Sequence, residues 1–306
     1  MAGTISALCL SLLDDNLDCW WPWGVNWPVM KLGVQHFPPL SFRAVSMWMA
    51  LAVVFAAVRY QGLPLSVPRS FWPALARLTL FNMVLWHCLI IVAIPMVSSG
   101  RAAILGYTMP IFSAVVGRVF WHDRLAARGW GGVIAALLGV SLLLWHEFGA
   151  FGSRPEGAVL MLVAALSWAI GTQMMRRTPL PVPLLSLAFW MMLITAIVLP
   201  TGGWLFERAQ WHMPDAVAWN TILFNGLLVI GFAQIVWFEL ARSLPPIAST
   251  LSVMFIPVLG VFCGAWWLGE VLHWQDWTAV GLMMLAIASV LWPSKPRSPH
   301  HKDCSC

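Results

Sequence analysis

The sequence predicts an all-α integral membrane protein of ten transmembrane helices, arranged as two inverted five-helix repeats. Three observations predict this: a composition too poor in charge for a water-facing surface, ten apolar runs of membrane length, and landmark residues that recur at one offset. Of the 306 residues 60% are hydrophobic and 9% charged. A soluble domain carries about 25% charged residues, so this chain cannot cover a soluble surface of its size.

A spanning helix needs ~20 mostly apolar residues. Such runs lie near 19–36, 39–59, 76–96, 98–118, 127–146, 157–175, 183–203, 217–239, 247–268 and 275–293. Turn or charge signals separate them, among them QGLPLSVPRS, HEFGAFGSRPEG, RRTPLPVP and ERAQWHMPD. Seven tryptophans near run ends, Trp72, Trp121, Trp130, Trp145, Trp204, Trp274 and Trp292, fit headgroup-level belts, because an amphipathic ring favours that depth. The N-terminus departs from the pattern. Residues 5–13 are apolar, but Asp14, Asp15 and Asp18 follow, and each would cost on the order of 2.5–3.5 kcal/mol in mid-membrane. With no basic region and a short apolar run, it does not read as a signal peptide either. Residues 1–18 are therefore set apart as an atypical N-terminal segment, and 294–306 as a cytoplasmic tail.

Orientation follows from Lys and Arg. With both termini inside, twelve of the seventeen basic residues fall on or near the cytoplasmic side, Arg59, Arg118, Arg128, Arg176 and Arg177 among them. Only Lys31, Arg43, Arg101, Arg154 and Arg208 fall outside. The net charge of +5 is explained by this bias, and no basic patch interleaved with aromatics suggests nucleic acid. Six scattered cysteines lack zinc-ligand spacing, so neither a metal nor a cofactor is expected.

A shift of 147 residues places Pro110 on Pro257, Gly117 on Gly264, Asp123 on Glu270, Trp130 on Trp277 and Trp145 on Trp292. A shift of 145 places Trp23 on Trp168, Lys31 on Arg176 and Pro38 on Pro183. Ordered landmarks of this kind read as a duplication, with repeats over 19–150 and 151–293. Five helices per repeat is odd, so the second copy enters the membrane upside down. The charges agree: Arg118, Arg124 and Arg128 fall on Ala265, Val271 and Gln275. Inverted repeats build many transporters, with the substrate site near the midplane between the halves. Pro110 and Pro257 then read as kinks. A proline removes one helical hydrogen bond and frees a carbonyl, here that of Gly106, at a cost of roughly 3 kcal/mol. Irregular backbone is tolerated at that depth beside a water-lined cavity, or where a neighbour satisfies it.

The residues resemble a known family. WGVNWPVMKLG at 23–33, HFPPLSFR at 36–43, SSGRAAILGYTMP at 98–110 and IPVLGVFCGAWWLGE at 256–270 are similar to EamA-type members of the drug/metabolite transporter superfamily. The first copy departs from the proline-to-Gly-Glu pattern, reading Trp121-His122-Asp123-Arg124. The resemblance implies export or exchange of small metabolites, such as amino acids or amphipathic drugs, through a cavity lined by helices one, three, four, six, eight and nine. Carried onto this chain it points to Trp23, Asn26, Asn82, His87, Tyr107, Trp168, Gln173, Asn225, Gln234 and Ser252 as substrate-binding residues.

Polar groups in lipid are expensive and default to functional readings. Arg101, one turn inside helix four, either snorkels to the headgroups or binds a substrate carboxylate or phosphate. Arg43 reads as snorkelling or as an interhelical pair. Asp123 and Glu270, at helix ends, read as capping or pairing groups. His87 sits at the centre of helix three with Gln234 as its counterpart, and is a candidate proton carrier or a hydrogen-bond donor. The expected partners are a small-molecule substrate, lipid and protons as the coupling ion. An integral membrane enzyme acting on a lipid-linked substrate, or a non-transporting receptor, are the alternatives. No Walker-type loop, HExxH or GxSxG is present to support ATP drive or hydrolysis.

Overall fold

The computed structural model describes residues 21–123, 125, 127–149, 155–179, 181–235 and 246–291, and only the backbone at 144, 146–149, 246–255 and 290–291. The 1–18 segment, the 294–306 tail and the side chain of Ser252 lie outside what is described. Among the described residues there are ten helices and no strand. They are α1 (Trp21–His36), α2 (Pro39–Tyr60), α3 (Arg69–Met96), α4 (Ser99–Trp121), α5 (Ala127–Gly149), α6 (Pro155–Arg177), α7 (Leu184–Phe206), α8 (Ala216–Ala233), α9 (Pro246–Leu268) and α10 (Trp274–Leu291). Six of them, α2, α3, α4, α6, α7 and α8, are long and apolar enough to cross a membrane unaided. The described tryptophans of the expected belts, Trp72, Trp121, Trp130, Trp145, Trp204 and Trp274, are all exposed.

The helices pack as partners across the two halves. α2 packs on α7, and α5 on α10; α1 lies against α8 and α9, and α6 against α3 and α4. Small residues let backbones approach where helices cross. A Cβ on Gly171 of α6 would stand 2.8 Å from the backbone nitrogen of Asn82 in α3. A Cβ on Gly260 of α9 would meet the Cβ of Ala103 in α4 at 2.6 Å.

Two helices carry wide π-type turns, at Leu80–Val84 in α3 and Phe224–Ala233 in α8. The first, shifted by 147, falls inside the second. Widening a turn exposes carbonyls that need partners, and Ser167 of α6 supplies one by donating its hydroxyl to the Phe81 carbonyl at 2.7 Å.

The two prolines behave differently from one another. Pro257 sits inside a continuous α9. Pro110 does not kink a continuous helix: α4 turns at Tyr107–Thr108 and restarts at Met109. Pro110 lies in the first turn of the restarted segment, where a missing N–H costs nothing because that N–H is an orphan anyway. Thr108 closes the break, its hydroxyl donating to the Leu105 carbonyl at 2.6 Å.

Acids organise the helix ends. The Glu270 carboxylate accepts from the Ser99 N–H at 2.7 Å, the Ser99 hydroxyl at 2.9 Å and the Gly100 N–H at 3.3 Å, so it caps α4 from the end of α9. Glu207, after α7, caps α2 in the same way. Asp215 caps α8 through the Ala218 N–H at 2.7 Å, and His36 Nδ1 lies 2.7 Å from its other oxygen. The Ala218 bond and then the His36 bond hold the Asp215 carboxyl below the usual carboxylate range. At the opposite end of α4, Asp123 pairs with Arg177, which also lies over the Trp121 ring at 4.6 Å. His122 there takes the left-handed conformation, φ 58°, that Gly269 takes at the matching place, φ 63°.

Candidate functional site

Seven helices converge on one central cavity. Its wall comes from α1 (Trp23, Asn26, Trp27, Met30), α2 (Arg43), α3 (Trp86, His87, Ile90), α4 (Tyr107, Met109), α6 (Trp168), α8 (Val229, Ile230, Gln234) and α9 (Ile256). Tyr107 lies at the break in α4, and the matching wide turns in α3 and α8 end three residues before His87 and one before Gln234. The space amounts to about 50 Å³ open to the centre of a water molecule, room for several waters. Its lining is aromatic and aliphatic with a few polar groups, the usual make-up of a small-molecule pocket. Trp86 and Trp168 stand with ring centroids 5.1 Å apart, and Trp27 meets Tyr107 edge-on at 6.3 Å.

α4 and α9 are in close contact on the Gly100 side of Tyr107. On α4, Gly100 and Ala103 precede Tyr107 toward the end that Glu270 caps. There a Cβ on Gly100 would stand 3.0 Å from the Val261 Cα of α9, and Gly260 meets Ala103.

The polar groups on the wall fall into two sets. Arg43 is buried, at 2% exposure. It donates from Nη1 to Asn225 Oδ1 at 3.0 Å and from Nη2 to Met30 Sδ at 2.7 Å. Asn225 in turn donates from Nδ2 to Asn26 Oδ1 at 2.5 Å. The second set is unpartnered: both ring nitrogens of His87 and the amide nitrogen of Gln234 are buried without a hydrogen bond. A buried polar atom left unpaired costs roughly 1–3 kcal/mol, so such atoms in a cavity wall are groups that a solute or water can satisfy.

Of the residues singled out from sequence, Trp23, Asn26, His87, Tyr107, Trp168 and Gln234 line the cavity together. Asn225 stands just behind the wall and braces it through Arg43 and Asn26. The other candidates lie elsewhere. Asn82 is buried under α6 at the Gly171 crossing. Gln173 is engaged near the far end of the bundle, donating to the Ser113 carbonyl at 2.6 Å and hydroxyl at 2.9 Å. Arg101 is held at the α4 end by Asp276, Nε to Oδ1 at 2.8 Å. Arg43, which sequence reading left to snorkelling or pairing, is the cation on the wall. Trp27, Met30 and Trp86 were also not singled out. They look like ordinary apolar helix residues, and only helix rotation shows which way they face.

Comparisons with known proteins agree with this architecture. The EamA-like transporter family matches over residues 21–145 and again over 155–292. "Uncharacterized transporter YoaV" of Bacillus subtilis is 27% identical over 79% of this chain and 83% of its own length. "Uncharacterized inner membrane transporter YedA" of Escherichia coli K12 is 27% identical over 90% of both chains. "Probable amino-acid metabolite efflux pump" of Salmonella typhimurium is 26% identical over 87% of this chain and 89% of its own. A crystal structure 22% identical superposes with a TM-score of 0.66 over 89% of this chain and 94% of that chain, a likeness of fold. With apolar helices of spanning length, a polar-studded cavity at their centre and the family matched in both halves, this chain is an integral multi-pass membrane protein that belongs to the EamA-like transporter family.

Proposed function

We propose that the protein is a secondary transporter in the cytoplasmic membrane that exports or exchanges small metabolites, amino-acid-like or drug-like, by alternating access. Protons are the coupling ion in this reading. The observation that carries it is the meeting of His87 and Gln234, one from each half at the 147 offset, as unpartnered groups on one cavity wall. A transporter needs a site that both halves build, so that rocking one against the other exposes it to alternate sides. Reconstitution into proteoliposomes with a labelled panel of amino acids and organic acids should give saturable, protein-dependent flux. An enzyme on lipid-linked substrates or a receptor predicts no flux, and its absence across the panel would overturn the proposal.

The two halves are proposed to be inverted repeats over 19–150 and 151–293, with both termini cytoplasmic. The paired charges support this. Lys31 of α1 lies near the Glu270 end and donates to the carbonyls of Ile94, Pro95 and Val97 at 2.7–3.0 Å. Its counterpart region in α6 supplies Arg177, which pairs with Asp123, the counterpart of Glu270. Glu270 sits at the start of α4 and Asp123 at its end, so related acid–base sites lie ~30 Å apart at opposite faces. Of the basic residues expected inside, the described Arg118, Arg176 and Arg177 lie toward the Asp123 end, which supports this orientation. With the native cysteines replaced, a cysteine at Gln210 should label from outside and one at Thr178 only from inside. Labelling of both from one side would rule the inversion out.

A further inference from the structure

The strongest unexplained feature is a buried cation with no counter-ion among the described residues. The bonds of Arg43 described above go to neutral partners, an amide oxygen and a thioether, and its Nε has none. A buried guanidinium held this way is expensive unless an anion joins it. Among the described residues none supplies one on the cavity wall, where no Asp or Glu stands. The carboxylates at the nearest end of the bundle are committed: Glu207 to α2, Glu270 to α4, Asp276 to Arg101 and Asp215 to α8 and His36.

The amides beside Arg43 are oriented by it. A guanidinium only donates, so Asn225 must turn its oxygen to Arg43 and its NH2 to Asn26. Asn26 then spends its oxygen on Asn225 and has only its NH2 to offer the cavity. Two donors, one of them charged, thus face the space beside the indoles of Trp23, Trp86 and Trp168, with His87 and Gln234 also on the wall. Guanidinium forks match planar carboxylates, and the indoles match an apolar or aromatic body.

We propose, resting on the transport reading, that the cavity selects organic carboxylates of net negative charge: Arg43 and the Asn26 amide bind the carboxylate, and the tryptophans enclose its apolar body. A bound carboxylate supplies the counter-ion that Arg43 lacks. A free ammonium would find no acid among the described wall residues, so cations, and zwitterions to a lesser extent, are disfavoured relative to simple or N-blocked acids.

The test compares phenylacetate, phenylacetamide and benzylammonium, which share one ring, binding to the purified full chain near neutral pH by thermal shift. Phenylacetate should bind roughly thirtyfold or more tighter than the amide, the scale for losing one partner of a buried charge pair, and benzylammonium should bind weakest. Arg43→Gln should erase the difference between acid and amide. Asn26→Asp, which places an acid on the wall, should weaken phenylacetate and strengthen benzylammonium. If Arg43→Gln does not fold, the wild-type comparison and Asn26→Asp decide. Amide or ammonium binding as tightly as the acid, or no binding of any of the three, would overturn the proposal. Phenylacetate binding without flux of any organic acid would sink the transport reading and leave this one standing. Saturable flux of a cation, with no acid preference, would do the reverse.

Discussion

Replacing Glu207 with alanine is expected to destabilise the fold by about 3–6 kcal/mol, the scale of its two charge-assisted bonds to backbone N–H groups at roughly 1.5–3 kcal/mol each. α2 begins at Pro39 with no side-chain cap of its own, because the preceding residue is Pro38. Its first N–H groups therefore lack intrahelical partners. Glu207, buried, takes their place from another helix: Oε1 accepts from the Leu40 N–H at 2.7 Å, and Oε2 from the Ser41 N–H and hydroxyl at 2.8 Å. The negative charge also complements the positive end of the helix dipole. Alanine strands both backbone donors, whereas Glu207→Gln keeps one accepting oxygen and should lose about half as much. Glu156, exposed in the first turn of α6, is the control, and Glu156→Ala should shift little. Thermal unfolding in detergent, followed by size-exclusion homogeneity, reads the result. Equal melting temperatures for Glu207→Ala and Glu156→Ala would show that the cap is dispensable.

That cap illustrates what a single sequence can and cannot disclose. The ten helices were legible because lipid demands long apolar runs, and most described ends lie within a few residues of the expected positions, although α3 begins at Arg69 where 76 was expected. For α2 the expected 39–59 compares with Pro39–Tyr60. The cap itself was not legible, since Glu207 lies 166 residues from Ser41 and nothing local marks it. The wide turns of α3 and α8 were hidden for another reason: adding a residue to one turn leaves an all-apolar pattern unchanged. Pro110 was visible, but its effect depended on whether the helix before it continued, which Tyr107 and Thr108 decide by turning.

The site was half legible for related reasons. Asn26, His87 and Gln234 stand out because polar side chains are rare in apolar runs. Arg43 and Arg101 stand near helix ends in the sequence, where snorkelling and function look alike. Rotation of α2 against α7 and α8 turns Arg43 inward, while Asp276 of α10 holds Arg101 at the bundle end. Neither partnership has a local signature.

The largest functional effect is expected at His87, where His87→Gln should abolish flux driven by a pH gradient while sparing substrate exchange. Coupling to protons needs a group that gains and loses one near working pH, and imidazole, with an unperturbed pKa of ~6.5, is the ordinary side chain that does. Among the described cavity-lining residues there is no carboxylate, and the other titratable groups are Arg43 and Tyr107, whose ordinary pKa values lie well above working pH. His87 is buried with both ring nitrogens unpartnered, so neither is committed to a structural bond that protonation would break. Arg43 and His87 share the wall, so a bound anion and a proton carried on His87 would lie in one cavity and attract each other. Substrate and proton occupancy are linked by that attraction. Glutamine keeps a donor and an acceptor, and it already occupies the matching place at Gln234, so folding should survive. Proteoliposomes carrying the variant should show wild-type counterflow of labelled substrate at equal pH on both sides. Imposing a pH gradient should then accelerate wild-type flux and leave the variant unchanged. Retained acceleration in His87→Gln would remove His87 as the carrier. Loss of counterflow together with acceleration would instead assign it to holding substrate.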